Sequence, residues 1–188
     1  MDIFSVRSIV APYGYEVSHP SKQVWAEFMQ DMDEGDKYEA SKTWRYDWVA
    51  EMEATYTDST SLFSIYHPTH DGVAMYGLTE INPHLARIWL LQSKKFSKAS
   101  KNYFGRHWVN KGVPMARKIV DTSLTRYKTV FNFVPKTRIE SVRFIKSVGF
   151  SFFDHPTRMS EMLFFGRGAS VDRYGSHPGF WEDFIGDL

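Results

Sequence analysis

The stretch YKTVFNFVPKTRIESVRFIKSVGF, Tyr127 to Phe150, constrains the fold more than any other part of the chain. Its aromatic and β-branched run, Tyr127 to Val134, has the composition of a buried strand. Pro135 lacks a ladder donor and ends that run. Thr137 with Glu140 three residues later has the spacing of a capping box. Ile139, Val142, Phe144, Ile145 and Val148 then recur along one side of a helix. Gly149 supplies the left-handed residue that closes a helix, and Phe150 to Phe153 opens another strand.

Upstream, Ile3 to Val10 reads as a first strand, ended by Pro12 and Gly14. Ser18 to Ser21 opens a helix over Lys22 to Met32, with Val24, Trp25 and Phe28 at helical spacing. Asp33 to Lys37 is a polar break. Trp44, Trp48 and Met52, spaced four apart, predict a second helix over Tyr38 to Ala54, followed by a turn-like Thr55 to Thr60. Ser61 to His67, Gly72 to Ile81 and Leu85 to Leu91 are β-rich and separated by His-Pro, Asp-Gly and Asn-Pro breaks, which predicts an antiparallel meander. Ser97 to Val109 and Met115 to Leu124 read as helical, and a last strand falls near Met159 to Phe165. From Gly166 to Leu188 the chain turns glycine-rich, with Phe180, Trp181, Phe184 and Ile185 on one side of a short helix. The domain is therefore read as residues 1–165, with 166–188 as a tail. That tail either docks on its own domain or presents those four side chains to a partner.

With 188 residues the chain suits one domain with a sizeable core. A net charge of +1 does not favour nucleic acid as a partner. One strip does carry the pattern of a nucleic-acid reader: Lys94, Lys95, Lys98, Lys101, Arg106 and Lys111 interleave with Phe96, Tyr103, Phe104 and Trp108. An amphipathic helix explains the strip equally, with rings inward and cations in water. The absence of cysteine excludes disulfides, thiol catalysis and cysteine-ligated zinc, and fits a reducing compartment. His67 and His70 form an H-x-x-H pair with no evident third ligand, so no metal site is expected. The N-terminus carries no secretory signal pattern, and no run approaches the roughly 18 apolar residues of a membrane span.

The strand, helix and Gly149-Phe150 exit resemble the closing part of the acetyl-coenzyme A-dependent N-acetyltransferase (GNAT) fold, and the element order over about residues 3–165 is similar to that family's. The resemblance implies an α+β fold with a mixed, mostly antiparallel central sheet flanked by helices, and a splayed gap between the fourth and fifth strands. It also implies a coenzyme site where the fourth strand turns into a helix, at Leu91, Gln92, Lys94, Lys95, Ser97 and Lys98. Gln92 matches the family's Gln or Arg. Lys95 and Ser97 stand where the family has glycines that let backbone amides approach the diphosphate. The family's Asn on the later helix, which contacts the coenzyme arm, is matched by Arg138, so the resemblance adds Arg138 to the coenzyme site; the family's proton-donating Tyr is matched by Ile145, which has no proton to give. Lysines holding the phosphates and a lapsed cradle are both open readings of that loop. Glu80, then His84, are the candidates for a general base on the central strands, and Ser141 is a candidate hydroxyl.

The runs WLLQSKKFSKASKNYF and KTRIESVRFIKSVGF are similar, more narrowly, to the acetyltransferase-like internal virion protein A family of short-tailed bacteriophages. Thr137, Val142, Arg143, Phe144, Ile145, Lys146 and Gly149 carry that match over about residues 72–155. The chain departs from it in a longer N-terminal part, an insertion around Gly112 to Met115, and the aromatic tail. The resemblance implies a protein of the host cytoplasm, with the virion as an alternative location. It also implies a role in particle assembly or infection through contacts with phage or host proteins, with a weakened coenzyme site. The alternative is an active acetyl-coenzyme A-dependent transferase acting on a host or phage amine.

Overall fold

The computed structural model describes residues 2–42, 47–68, 70–99, 112–154 and 161–169. The expectations that fall on Trp44, on 100–111, on Met159 and on the tail side chains Phe180, Trp181, Phe184 and Ile185 lie outside the described residues.

The chain opens with a helix, α1 (Ile3–Val10), where a strand was expected. Local capping and burial decide this against β propensity. The Asp2 carboxylate accepts the Ser5 N–H at 2.9 Å and the Ser5 hydroxyl at 2.8 Å. Val6 and Val10, four apart, are fully buried, while Phe4 is 72% exposed. A short 3₁₀ turn (Ala11–Tyr13) leads into the first strand, β1 (Glu16–Ser18).

Ser21 caps α2 (Lys22–Asp31) as the sequence predicts. The polar break after it is a corner rather than a gap. The Asp33 carboxylate accepts the Gly35 N–H at 2.9 Å and starts α3 (Glu34–Ser41). The single helix expected over Tyr38 to Ala54 is replaced by the end of α3 and by α4 (Trp48–Asp58). Asp47 caps α4, which continues through most of the expected Thr55–Thr60 turn.

β2 (Ser61–His67), β3 (His70–Asn82) and β4 (Leu85–Gln92) form the antiparallel meander. Then follow α5 (Lys94–Ala99), α6 (Val113–Arg126), β5 (Thr129–Pro135), α7 (Ile139–Val148), β6 (Ser151–Asp154) and β7 (Met162–Gly168). The sheet order is β1-β2-β3-β4-β5-β7-β6. β4 and β5 run parallel, and the other paired neighbours antiparallel.

The Thr137 capping box does not form. Arg138 takes the cap position of α7 without a side-chain hydrogen bond, because its guanidinium reaches across to α3. Ile139, expected on the apolar side, is 59% exposed, whereas Val148 is buried and Val142, Phe144 and Ile145 pack against the core. Gly149 adopts φ +100°, and the helix ends there.

Helices cover both faces of the sheet. Val6, Val10, Ile119, Val120 and Val148 meet Leu78, Ala86, Ile88, Val130 and Val134 in one cluster. Trp25, Phe28, Met32 and Met52 meet Met75, Trp89 and Leu91 in another. A ring-rich cluster of Phe131, Phe133 and Phe164 with Leu85 and Met162 joins β5 to β7.

Candidate functional site

β4 and β5 pair over three positions, Leu85 with Thr129, Ala86 with Val130 and Arg87 with Phe131, and then part. Where the ladder would continue, the Asn132 side chain takes over. Its amide donates to the Ile88 carbonyl at 2.8 Å, and its oxygen accepts from Arg87 Nε at 3.2 Å. The expected splay between the fourth and fifth strands is present. A cleft of about 180 Å³ occupies it. Its walls are mostly apolar, among them Ile88, Leu91, Phe133, Phe144, Ile145 and Phe165.

One part of the lining is charged, and α3 supplies it. Asp36 and Glu39 lie one helical turn apart on the side of α3 that faces the sheet. Asp36 Oδ2 accepts the backbone N–H of Gln92 at 2.7 Å, and Asp36 Oδ1 accepts from Arg138 Nη1 at 2.9 Å. The same Arg138 nitrogen reaches Glu39 Oε2 at 3.4 Å. Arg138 lies so close over α3 that a Cβ on Gly35 would sit 2.7 Å from its guanidinium carbon. Arg87 Nη1 pairs with the buried Glu51 of α4 at 2.6 Å. Burial raises the Asp36 pKa, opposed by the Gln92 N–H and Arg138. Burial, and then the Asp36 charge, push Glu39 up to about 8.

Backbone contacts tie α3 to the end of β4. Asp33 N–H donates to the Gln92 carbonyl at 2.8 Å, and Met32 bridges Ser93. The Ser93 hydroxyl accepts from Val73 N–H and Phe96 N–H, both at 3.1 Å, and sets the start of α5.

The residues expected at the coenzyme site divide. Leu91 and Gln92 of the turn and Arg138 of the later helix line the cleft, as do Ser141 and Ile145. Lys94 is exposed and ion-paired to Glu34 at 2.7 Å. Lys95 and Lys98 are exposed, and Ser97 N–H donates within its own helix to the Ser93 carbonyl.

Glu80 and His84 do not reach the cleft. Glu80 Oε2 accepts from Arg126 Nη2 at 2.9 Å and from the Tyr127 hydroxyl at 2.8 Å, which clamps β3 to the end of α6. His84 sits exposed in the turn between β3 and β4, its carbonyl accepting from Thr129 N–H. The hydroxyls among the described lining residues belong to Thr55, Tyr76 and Ser141. That of Tyr76 is buried against Ser123 Oγ at 2.7 Å, and burial raises its pKa. His67 packs edge-on against the Tyr15 ring. Among the described residues no group of three His, Asp or Glu is placed to hold a metal ion, and no helix is long and apolar enough to cross a membrane.

Reading the sequence missed Asp36, Glu39, Arg87, Glu51, Asn132 and Trp89. One signal was available. Asp33 followed by Glu34, Asp36 and Glu39 has the pattern of a capped helix with acidic residues a turn apart. Nothing in the sequence tells which of those acids faces inward.

No family model matches the sequence, and no curated protein matches it. Solved structures do match. A point mutant of the spermidine N-acetyltransferase SpeG from Vibrio cholerae aligns at a TM-score of 0.55 and 11% identity, over 88% of this chain and 99% of that one. An acetyltransferase from Agrobacterium tumefaciens aligns at 0.58 and 9%, over 82% and 91%. An aminoglycoside acetyltransferase solved with coenzyme A aligns at 0.53 and 12%, over 86% and 99%. The fold is the GNAT acetyltransferase fold. At these identities the likeness concerns architecture, and in that GNAT frame the cleft is the gap between the parallel β4 and β5.

Proposed function

We propose that this chain keeps the GNAT framework with a weakened coenzyme A site, and acts through contacts with phage or host proteins in virion assembly or infection. The observation that carries the weakened site is the Asp36 carboxylate. It holds both the Gln92 N–H and the Arg138 guanidinium, at 2.7 and 2.9 Å. Those are two of the groups that the resemblance assigns to the coenzyme. An anionic side chain already on these donors opposes a second anion there, since like charges at close range in a partly buried site repel strongly. Lys94 is likewise committed to Glu34, and side chains replace glycine at Lys95 and Ser97. In this arrangement the residues present do not fit the coenzyme's diphosphate. The assembly role rests on the similarity to the internal virion protein A family at Thr137 to Gly149, and on no other feature.

Calorimetry with acetyl-coenzyme A tests the site: the reading expects no heat at millimolar ligand. Micromolar binding that disappears on replacing Gln92 and Lys95 overturns it. Immunoblots of purified phage particles and of assembly intermediates test the role, and absence from both refutes it.

A second reading, an active N-acetyltransferase, is supported by the open cleft and by the lining hydroxyls of Tyr76 and Ser141. Release of free coenzyme A thiol in the presence of a panel of amines would establish it.

A further inference from the structure

We propose that the end of the chain folds back on its own domain and seats Phe180, Trp181, Phe184 and Ile185 on the face of β5, β7 and β6 that carries Phe131, Phe133 and Phe164. This goes beyond the proposed function and does not depend on it: those four side chains are assigned to an intramolecular contact.

Alternation along the strands divides this half of the sheet. Val130, Val134 and Phe165 belong to the cluster formed with α6 and α7. Phe131, Phe133, Met162 and Phe164, with Phe153, form the cluster on the other side. Among the described residues that second cluster consists of strand residues alone, and no helix contributes to it. The helices on its side of the sheet, α2, α3 and α4, pack farther along, on Met75, Trp89 and Leu91. An antiparallel face left to water carries polar side chains, whereas this one carries rings. Yet within the single chain Phe131, Phe133, Met162 and Phe164 are each at most 3% exposed. The chain itself therefore supplies a cover, and a second copy is not needed for one.

Position selects the segment. β7 ends at Gly168, which pairs with Thr129, and Thr129 in turn pairs with Leu85 of the same ring-rich cluster. Ala169 N–H donates to the Lys128 carbonyl at 3.0 Å, and Gly168 at φ +127° lets the backbone leave the strand direction. Residues 169–179 then precede Phe180. Fully extended, such a stretch spans about 36 Å. Phe164 lies only about 14 Å back along β7 from Gly168, so the reach is ample. Phe180, Trp181, Phe184 and Ile185 share one side of a helical wheel, with Glu182 and Asp183 on the other.

Other segments fit this face less well. Residues 100–111 follow Phe96 and precede Met115, and both of those pack in the cluster on the opposite face. Residues 43–46 and 155–160 are short. They adjoin the Met162 end of the cluster, where Lys42 pairs with Glu161 at 3.6 Å and Asp154 lies opposite Leu163. Leu85 and Phe131 lie toward the other end, beside the exit of β7.

Because the chain has no cysteine, single introduced thiols report the contact in the full-length protein. Under native conditions Phe184→Cys and Ile185→Cys should react with a thiol-specific disulfide reagent at least about tenfold more slowly than Glu182→Cys and Asp183→Cys, since a docked position reacts only on local opening. The rates should not change on dilution. Phe153→Ala, combined with Ile185→Cys, should speed the reaction, while Phe152→Ala, on the opposite face of the same strand, should not. Equal rates at the four tail positions overturn the inference. So does an effect of Phe153→Ala no larger than that of Phe152→Ala. Faster reaction on dilution also overturns it, because a second copy would then supply the tail. The comparison of the four tail positions leaves the sheet untouched and needs no core variant to fold.

Discussion

Asp36 Oδ2 lies 2.7 Å from the backbone nitrogen of Gln92, so a carboxylate from α3 caps the end of β4. Its second oxygen holds Arg138 at the start of α7, 102 positions further along the chain. Three elements therefore meet on one side chain. Replacing it with alanine leaves the Gln92 N–H without this acceptor and Arg138 with only its longer contact to Glu39, in a buried site. Asp36→Ala should cost about 2–3 kcal/mol, read as a lower urea midpoint at unchanged slope. A loss below about 0.5 kcal/mol would show that α3 is not held by this contact.

Glu39 makes stability depend on pH in an unusual direction. Its folded-state pKa, about 8, lies above the ordinary glutamate value of 4.5, so the folded protein binds more protons than the unfolded chain between those values. Stability then falls as pH rises through that window. Glu39→Gln carries no such titration. It should match the parent near pH 5 and exceed it at pH 9 by about 1–2 kcal/mol, after discounting for the cleft's contact with solvent. Parallel stability–pH curves for the two proteins would refute the shift.

Gly77 lies under the Trp89 ring, where a Cβ would overlap the indole. Trp89 packs with Trp25 in the cluster that binds α2 to the sheet. Gly77→Ala should destabilise by about 1–3 kcal/mol through overpacking and shift the tryptophan emission. An unchanged melting temperature would mean that the ring has room to move.

Asn132 holds the splay at its narrow end. Asn132→Ala leaves the Ile88 carbonyl and Arg87 Nε without this partner. The expected cost is about 1–3 kcal/mol, with faster amide hydrogen exchange at the paired positions of β4 and β5. Unchanged exchange there would show that the backbone ladder alone sets where the strands part.

Much of the architecture was legible because its causes are local. The meander from Ser61 to Gln92 is marked by β-rich runs and by turn dipeptides. The end of α7 is marked by Gly149, which the structure shows at φ +100°. The errors came where two local signals competed. Ile3–Val10 is apolar and partly β-branched, yet Asp2 and the four-residue spacing of Val6 and Val10 make it a helix. Thr137 and Glu140 have capping-box spacing, but Arg138 is drawn to Asp36 and the box does not form.

The site was legible only in part, for a related reason. Gln92 and Arg138 stood out because their positions in the chain resemble a family motif. Asp36 lay in the expected polar break and Glu39 and Glu51 in the expected helix over Tyr38 to Ala54, and burial is not written in a residue's identity.

By itself, then, the sequence determined the elements that hydrogen bonding and side-chain periodicity over a few residues can specify, and with them the order that leads to this sheet. The tertiary structure decided where β4 and β5 part, which acids turn inward, and that Asp36 rather than solvent meets Gln92 and Arg138. Those contacts join residues 56 and 102 positions apart, and their strength comes from a shared, water-poor environment that exists only once the sheet and its helices have packed.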